Sequence, residues 1–298
     1  MTDIILLDGS IGQEVVKRSG DRATPLWSTS VMIDKPGIVG AIHADYFAAG
    51  ATIATMNTYA VLRDRLVRAG IEGHFEDLLA KAAEQANAAR AAHGSGWVAA
   101  ALGPLIASYR PDICPPHEEA APVYAELVQL LEPQADLFLI ETVSSAEHAR
   151  GAMLGCVSTD KPVWLAASVS DENGTLLRSG EPLKELAPLV EEFQPEAVLL
   201  NCSRPEAIGA GLEIVKGFGK PYGAYANGFT RISDGFLKDA PTVDALEQRQ
   251  DLSPEAYAEF AMGWIRQGAT IVGGCCEVGP DHIAELARQL RAAGHRII

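Results

Sequence analysis

The sequence predicts an α/β protein, a (β/α)8 TIM barrel formed as one domain over residues 1–298, and three observations carry that expectation. Eight apolar runs of strand length alternate with helix-like stretches along the chain. A length of 298 residues, 48% hydrophobic and 21% charged, suits one barrel-sized core with no second compositional class. The apolar runs also end, almost every time, in polar or thiol side chains, which is what the C-terminal rim of a barrel requires. Periodicity does not register closure, so a doubly wound open sheet shares the first two observations.

In chain order the strand candidates are Ile4–Leu7, Thr52–Met56, Trp97–Leu102, Leu137–Ile140, Val163–Ser168, Ala197–Leu200, Tyr222–Ala226 and Thr270–Val272. Helical patterning falls on Pro36–Ala49, Phe75–Ala92, Pro122–Leu131, Ser145–Leu154, Leu183–Phe193, Pro205–Val215, Pro254–Gln267 and Pro280–Ala293. Several of these open on proline, whose missing N–H costs nothing in a first turn. The polar, glycine-bearing segment from Asn227 to Asp251 reads as a mobile or decorative loop over one end.

Composition narrows the classes of function. The opening Met1–Asp8 has no basic n-region, and its apolar run is too short for a signal peptide. No run approaches the roughly 20 apolar residues of a membrane span. A cytoplasmic location is expected, where five cysteines read as thiols or metal ligands in preference to disulfides. A net charge of −15 argues against nucleic acid or an anionic membrane as partner and accords with a cationic small molecule.

The chemistry concentrates at strand ends. The first run ends in Asp8-Gly9-Ser10, the second in Asn57-Thr58-Tyr59, the fourth in Glu141-Thr142, the sixth in Asn201-Cys202, the seventh in Asn227 and the eighth in Gly273-Gly274-Cys275-Cys276. Adjacent cysteines seldom bridge each other, but both can turn toward one soft ion. By itself the pair also reads as two buried small hydrophobes. On a barrel, Cys202, Cys275 and Cys276 converge on one mouth as a sulfur-only set suited to Zn²⁺ with its fourth position open, and Gly273 and Gly274 are expected to leave room for the ion. Three thiolates on a divalent ion make a weak Lewis acid, poor at generating hydroxide and well suited to holding a further thiolate, so alkyl transfer to a thiol is the natural reaction. A zinc hydrolase or lyase would prefer histidine or carboxylate ligands, whose spacing is absent. A non-catalytic zinc- or thiol-binding protein would leave the acidic strand ends unexplained. Cys114 and Cys156 lack metal-like spacing; Asp281 and His282 sit in a helix first turn and are expected to be structural. Asp8 is also a candidate N-cap for a helix starting near Ile11, whereas Glu141, following a buried run, must reach the mouth or be paired.

Taken together, Gly273-Gly274-Cys275-Cys276, Asn201-Cys202, Leu7-Asp8-Gly9-Ser10-Ile11-Gly12, Ser108-Tyr109-Arg110-Pro111-Asp112 and Leu177-Arg178-Ser179-Gly180-Glu181 resemble the homocysteine S-methyltransferase family over almost the whole chain. The resemblance implies a (β/α)8 barrel that methylates zinc-bound homocysteine to methionine. Cys202, Cys275 and Cys276 match the zinc ligands, Asp8 and Glu141 match acidic residues that hold the homocysteine amino group, and Trp27 and Tyr59 resemble aromatic positions near the donor. No catalytic residue beyond the zinc site is implied, since a neutral leaving group needs no general acid. Ser10 departs from the glycine or alanine of many relatives, a difference expected to be local packing. Glu141-Thr142 resembles the branch using a sulfonium donor, whereas the betaine branch tends to place tyrosine after the glutamate. The chain also shows neither the C-terminal extension of the animal betaine enzymes nor a folate or cobalamin module. S-methylmethionine, or less efficiently S-adenosylmethionine, is therefore the expected donor, with betaine the alternative.

Overall fold

The computed structural model describes residues 2–20, 28–35, 37–233, 235, 237 and 246–298. Nine parallel strands are present among them: β1 Asp3–Leu6, β2 Ile53–Thr55, β3 Trp97–Leu102, β4 Leu137–Val143, β5 Val163–Ala167, β6 Ala197–Asn201, β7 Tyr222–Ala226, β8 Ile271–Gly274 and β9 Arg296–Ile297. The sheet order is β2-β3-β4-β5-β6-β7-β8-β1-β9. Leu7 bridges Ile53 in parallel, and the Thr52 N–H donates to the Leu6 carbonyl at 2.7 Å, so β1 also meets β2 and the eight strands close into the expected barrel. The short β9 is an addition, pairing with the start of β1 at Asp3 and Ile4.

Helices pack around the barrel as α1 Ile11–Ser19, α2 Thr29–Asp34, α3 Ile38–Ala49, α4 Arg63–Ala69, α5 Phe75–His93, α6 His117–Leu131, α7 Ala146–Gly155, α8 Ala187–Phe193, α9 Pro205–Val215, α10 Pro254–Arg266 and α11 Pro280–Ala292. Pro122 lies inside α6 and does not open it, because Glu118 and Glu119 already favour the helix N-terminus one turn earlier. The short helices α2 and α4 interrupt long connections where no extended apolar period announced them. None of the described helices is long and apolar enough to cross a membrane.

Side-chain alternation divides each strand between two cores. Leu137 and Leu139 fill the barrel lumen with Leu7, Ile53, Trp164, Leu199 and Ile271, while Phe138 and Ile140 face the helical layer. The fourth strand continues past its apolar run, so Glu141 lies within β4, on the parity of Leu137 and Leu139. Tyr225 shares the lumen cluster in β7.

The glycines of β8 serve close packing, and neither takes a left-handed conformation. A Cβ on Gly273 would stand 2.4 Å from the Leu7 Cβ, and one on Gly274 would stand 2.2 Å from Val278 Cγ1. Contact with the first strand and with Val278 demands them, a tighter constraint than the expected clearance for an ion. Gly273→Ala should therefore destabilise the fold by about 1–3 kcal/mol through overpacking, checked by urea unfolding of the reduced protein.

Candidate active site at the barrel mouth

One cavity opens at the C-terminal rim, and it collects Asp8 and Gln13 from the first βα unit, Asn57 and Tyr59 after β2, Tyr109 after β3, Glu141 in β4, Tyr225 in β7 and all three rim cysteines. Its described lining contains no lysine, arginine or histidine. Five of the site residues expected from sequence, Asp8, Tyr59, Cys202, Cys275 and Cys276, thus share a wall with the sixth, Glu141. Trp27 lies outside the described residues.

The sulfurs of Cys202, Cys275 and Cys276 lie within 4.8 Å of one another, a group able to hold a metal ion. The Cys275 and Cys276 sulfurs are 4.0 Å apart, close to the roughly 3.8 Å that two sulfurs adopt on a tetrahedral ion with 2.3 Å bonds. Cys202 and Cys275 are joined as a disulfide, which corrects, for this pair, the expectation of thiols or metal ligands in preference to disulfides. The barrel explains the pairing: strands six and eight bring their Cα atoms to 5.7 Å, inside the range a disulfide spans. A disulfide sulfur is no thiolate ligand, so metal binding by the triad requires this pair reduced. Cys276 remains a free thiol, pushed up to about 12 by burial first and then by Glu277 and Glu141. A cation among the sulfurs would reverse that, since coordination stabilises the anion. The donor set therefore fits a soft divalent ion.

Asp8 is not a helix cap. Ser10 occupies the cap position of α1, giving its hydroxyl proton to Gln13 Oε1 at 3.1 Å, which confirms a local role for the unusual serine. The Asp8 carboxylate instead accepts the Thr55 N–H at 2.6 Å and the Thr55 hydroxyl at 2.8 Å, tying the first strand's end to the second's. Glu141 accepts from the Tyr225 hydroxyl at 3.3 Å. Burial raises Asp8 to about 7 against these hydrogen bonds, and burial followed by repulsion from Asp8 raises Glu141 to about 8. No side-chain cation is paired with either among the described residues, so both carboxylates lack the counter-charge that buried acids ordinarily find.

The Tyr59 hydroxyl shares a 2.7 Å hydrogen bond with Ser108, and its ring has the Arg65 guanidinium 5.6 Å from its centre. Tyr109 and Tyr225 are further aromatic walls to which sequence reasoning assigned no role. Tyr225 was legible in principle, standing two residues from Gly223 on the lumen parity of β7. Asn57 accepts from Ser28 at 2.6 Å while its Nδ2 has no partner among the described residues, a feature with no sequence signal. Phe229 and Leu246, from the segment expected to be a mobile or decorative loop, are buried against Cys202 and Tyr109, with Cys275 and Cys276 alongside. Those side chains make part of that segment a packed wall, while Arg231, Glu247, Gln248 and Gln250 of it are exposed. His282 accepts the Gly279 N–H at 3.3 Å and donates to the Leu252 carbonyl at 3.1 Å, and Cys156 is buried in the outer core, both structural as expected.

A closed barrel whose rim gathers three sulfurs, two buried carboxylates without a side-chain cation among the described residues, and tyrosine faces has the architecture of a barrel enzyme's active site. The homocysteine S-methyltransferase family model matches residues 5–290, and the chain belongs to that family and is an enzyme of it. It is 28% identical to the homocysteine S-methyltransferase of Escherichia coli over 302 residues, covering 95% of this chain and 94% of that one, and 24% identical to the Bacillus subtilis homocysteine S-methyltransferase YbgG over 321 residues, covering 97% and 95%. A selenocysteine Se-methyltransferase from Brassica oleracea is 25% identical over 319 residues, covering 96% of this chain and 88% of that one. Among solved structures, the E. coli homocysteine methyltransferase MmuM in its metallated form superposes with a TM-score of 0.81 at 25% identity, covering 97% and 96% of the two chains. Its oxidised form gives 0.79 at 26% identity, covering 96% of each.

The raised carboxylates have a stability consequence of definite sign. Between their ordinary values of 3.8 and 4.5 and the raised values of about 7 and 8, the folded protein holds more protons than the unfolded chain. Stability is therefore full below the lower values and falls as pH rises through the upper ones. Urea unfolding of the metal-free protein should show lower stability at about pH 9 than at about pH 5, and Glu141→Gln should flatten the decline.

Proposed function

We propose that this chain, acting as one homocysteine-binding barrel over residues 1–298, transfers a methyl group from a sulfonium donor to homocysteine with zinc held by Cys202, Cys275 and Cys276. The observation that carries the reading is a cavity in which three sulfurs share the lining with two buried carboxylates that have no side-chain cation among the described residues. Zinc bound by the three thiolates would supply a position for the acceptor sulfur and stabilise its deprotonated form near neutral pH.

The residues divide the remaining work. Asp8 and Glu141 receive the acceptor's ammonium, which provides the counter-charge the barrel withholds and favours their ionised forms. Thr55 and Tyr225 orient those carboxylates before the substrate arrives. Tyr59 and Tyr109 offer aromatic faces to the onium donor, an attraction of about 0.5–2 kcal/mol each. Phe229 and Leu246 keep water from the sulfurs on the side of the seventh strand. The methyl carbon forms its bond to the acceptor sulfur as the donor's carbon–sulfur bond breaks, the thiol proton goes to solvent, and the donor leaves as a neutral thioether. Ground-state positioning and exclusion of water account for this chemistry without a proton-transfer residue.

The donor reading rests on Glu141-Thr142. Thr142 is fully buried, giving its N–H to Asn201 Oδ1 at 3.0 Å and accepting from Asn201 Nδ2 at 3.2 Å, so the residue after Glu141 is built into the rim beside the sixth strand. S-methylmethionine is the preferred donor, S-adenosylmethionine a poorer one.

The reduced protein should bind about one zinc per chain, and Cys202→Ala, Cys275→Ala and Cys276→Ala should each lose or severely weaken it. Elemental analysis after chelator wash decides this, and full zinc retention by Cys202→Ala would sink the three-ligand assignment. For the donor, methionine formation from homocysteine should be rapid with S-methylmethionine, slower with S-adenosylmethionine and absent with betaine, each supplied separately to zinc-loaded protein. Turnover with betaine alone would overturn the donor while leaving the acceptor site standing.

A further inference from the structure

Of the motifs singled out in the sequence, Leu177-Arg178-Ser179-Gly180-Glu181 is the one the proposed reaction leaves without a task. Its arginine is largely buried and reaches the backbone of Cys202. Arg178 Nη2 donates to the Cys202 carbonyl at 3.1 Å, and its Nε donates to Ser168 Oγ at 3.0 Å, while the Ser168 hydroxyl donates to that same carbonyl at 3.2 Å. The Cys202 carbonyl is thus held by two donors that are themselves linked. The guanidinium also pairs with Asp171 at 2.8 Å, the two side chains being 10% and 4% exposed, and it stands 5.0 Å from the centre of the Tyr109 ring. The second oxygen of Asp171 accepts the Ile232 N–H at 2.9 Å, which fastens the segment after β7 to the same hub.

The hub coincides with unusual backbone. Cys202 has φ 46°, Thr142 has φ 58° and Tyr109 has φ 61°, all in the left-handed region that non-glycine residues avoid unless their surroundings impose it. Two of those three, Cys202 and Tyr109, touch Arg178 directly. A carbonyl fixed by two donors leaves its peptide plane little freedom, so the bond from Cα to the Cys202 thiol points in one direction. That direction is toward Cys275 and Cys276.

We propose that Arg178 is a positioning residue for the thiol centre: by holding the Cys202 carbonyl together with Ser168, it keeps Cys202 in the conformation that aims its sulfur at the metal, and by covering one side of Tyr109 it fixes that ring as a wall of the cavity. The inference rests on the reading that the three cysteines hold zinc. Arg178 touches neither metal nor substrate, so its effect passes through Cys202 and Tyr109. A lysine cannot replace it fully, because one ammonium cannot span the carbonyl, Ser168 and Asp171 with the planar fork of a guanidinium.

The test is metal affinity in the reduced full-length protein, measured by chelator competition with zinc and by the absorption spectrum of the cobalt-loaded form. Partners that orient a ligand are worth about 10–100-fold in affinity, and Arg178→Met should fall in that range, with an altered cobalt spectrum. Arg178→Lys should recover part of the loss, and Ser168→Ala, which removes the other donor to the same carbonyl and keeps the fold if Arg178→Met does not, should weaken zinc several-fold. The exposed pair partner Arg150, changed to methionine, should leave affinity and spectrum unchanged. Wild-type affinity and spectrum in Arg178→Met or in Ser168→Ala would overturn the positioning role. Failure of the wild-type protein to bind zinc would instead overturn the metal reading on which it rests.

Discussion

Closure of the sheet between the first two strands is the constraint on which the site depends. The Leu7–Ile53 bridge and the Thr52–Leu6 hydrogen bond join β1 to β2, and with the ring complete every strand end lies on one rim. Asp8 then reaches Thr55, 47 residues away, and the sixth and eighth strands deliver sulfurs that are 73 residues apart in the chain. In an open sheet β1 and β2 would be opposite edges, and the two halves of the cavity would face different solvent. The Asp8–Thr55 contact is both a product of closure and a part of it, since a carboxylate at that seam satisfies a backbone donor that the short β2 leaves over.

Electrostatics sets the second constraint. A buried carboxylate is tolerated when it is paired, or when it remains protonated until a cation arrives. Asp8 and Glu141 have no side-chain cation beside them among the described residues, and each is raised by burial, Glu141 further by its neighbour. In the proposed reading a positive guest would supply the missing charge, at some expense to the stability of the empty protein. The same environment raises the Cys276 thiol, so in the proposed reading the carboxylates would be met by an ammonium and the reduced sulfurs by a metal.

The fold was legible because the strand period and the polar strand ends repeat eight times, and a repeated weak signal becomes a strong one. Six of the eight expected strands differ from the observed ones by a residue or more at an end, and one difference matters: β4 runs on to Val143, so Glu141 is a lumen residue of the strand and not its successor. Counting by two from Leu137 and Leu139 would have placed it there. The three cysteines were legible as a cluster because each follows an apolar run. Their pairing was not, because a disulfide depends on the 5.7 Å between two Cα atoms that only the closed barrel defines. Strand parity could place Tyr225 in the lumen, but its contact with Glu141 and that of Asn57 with Ser28 were hidden for a related reason, since each partner lies more than twenty residues away. The cap was an alternative for Asp8 because sequence shows the helix that follows and conceals the strand that lies beside it.

The arrangement also bears on how a reaction at this rim would end. In the proposed transfer both substrates enter with positive charge, and the cavity answers one with carboxylates and the other with aromatic faces. Methyl transfer changes these two interactions unequally. The acceptor keeps its ammonium, and with it the attraction of Asp8 and Glu141, while its sulfur becomes a neutral thioether and a poor ligand for a metal already surrounded by three thiolates. The spent donor loses its sulfonium charge, and the aromatic attraction of about 0.5–2 kcal/mol per ring goes with it. The barrel thus holds its grip on the part of the acceptor that does not react and loses it at both reacting sulfurs, so the chemical step itself weakens the contacts that would otherwise retain the products.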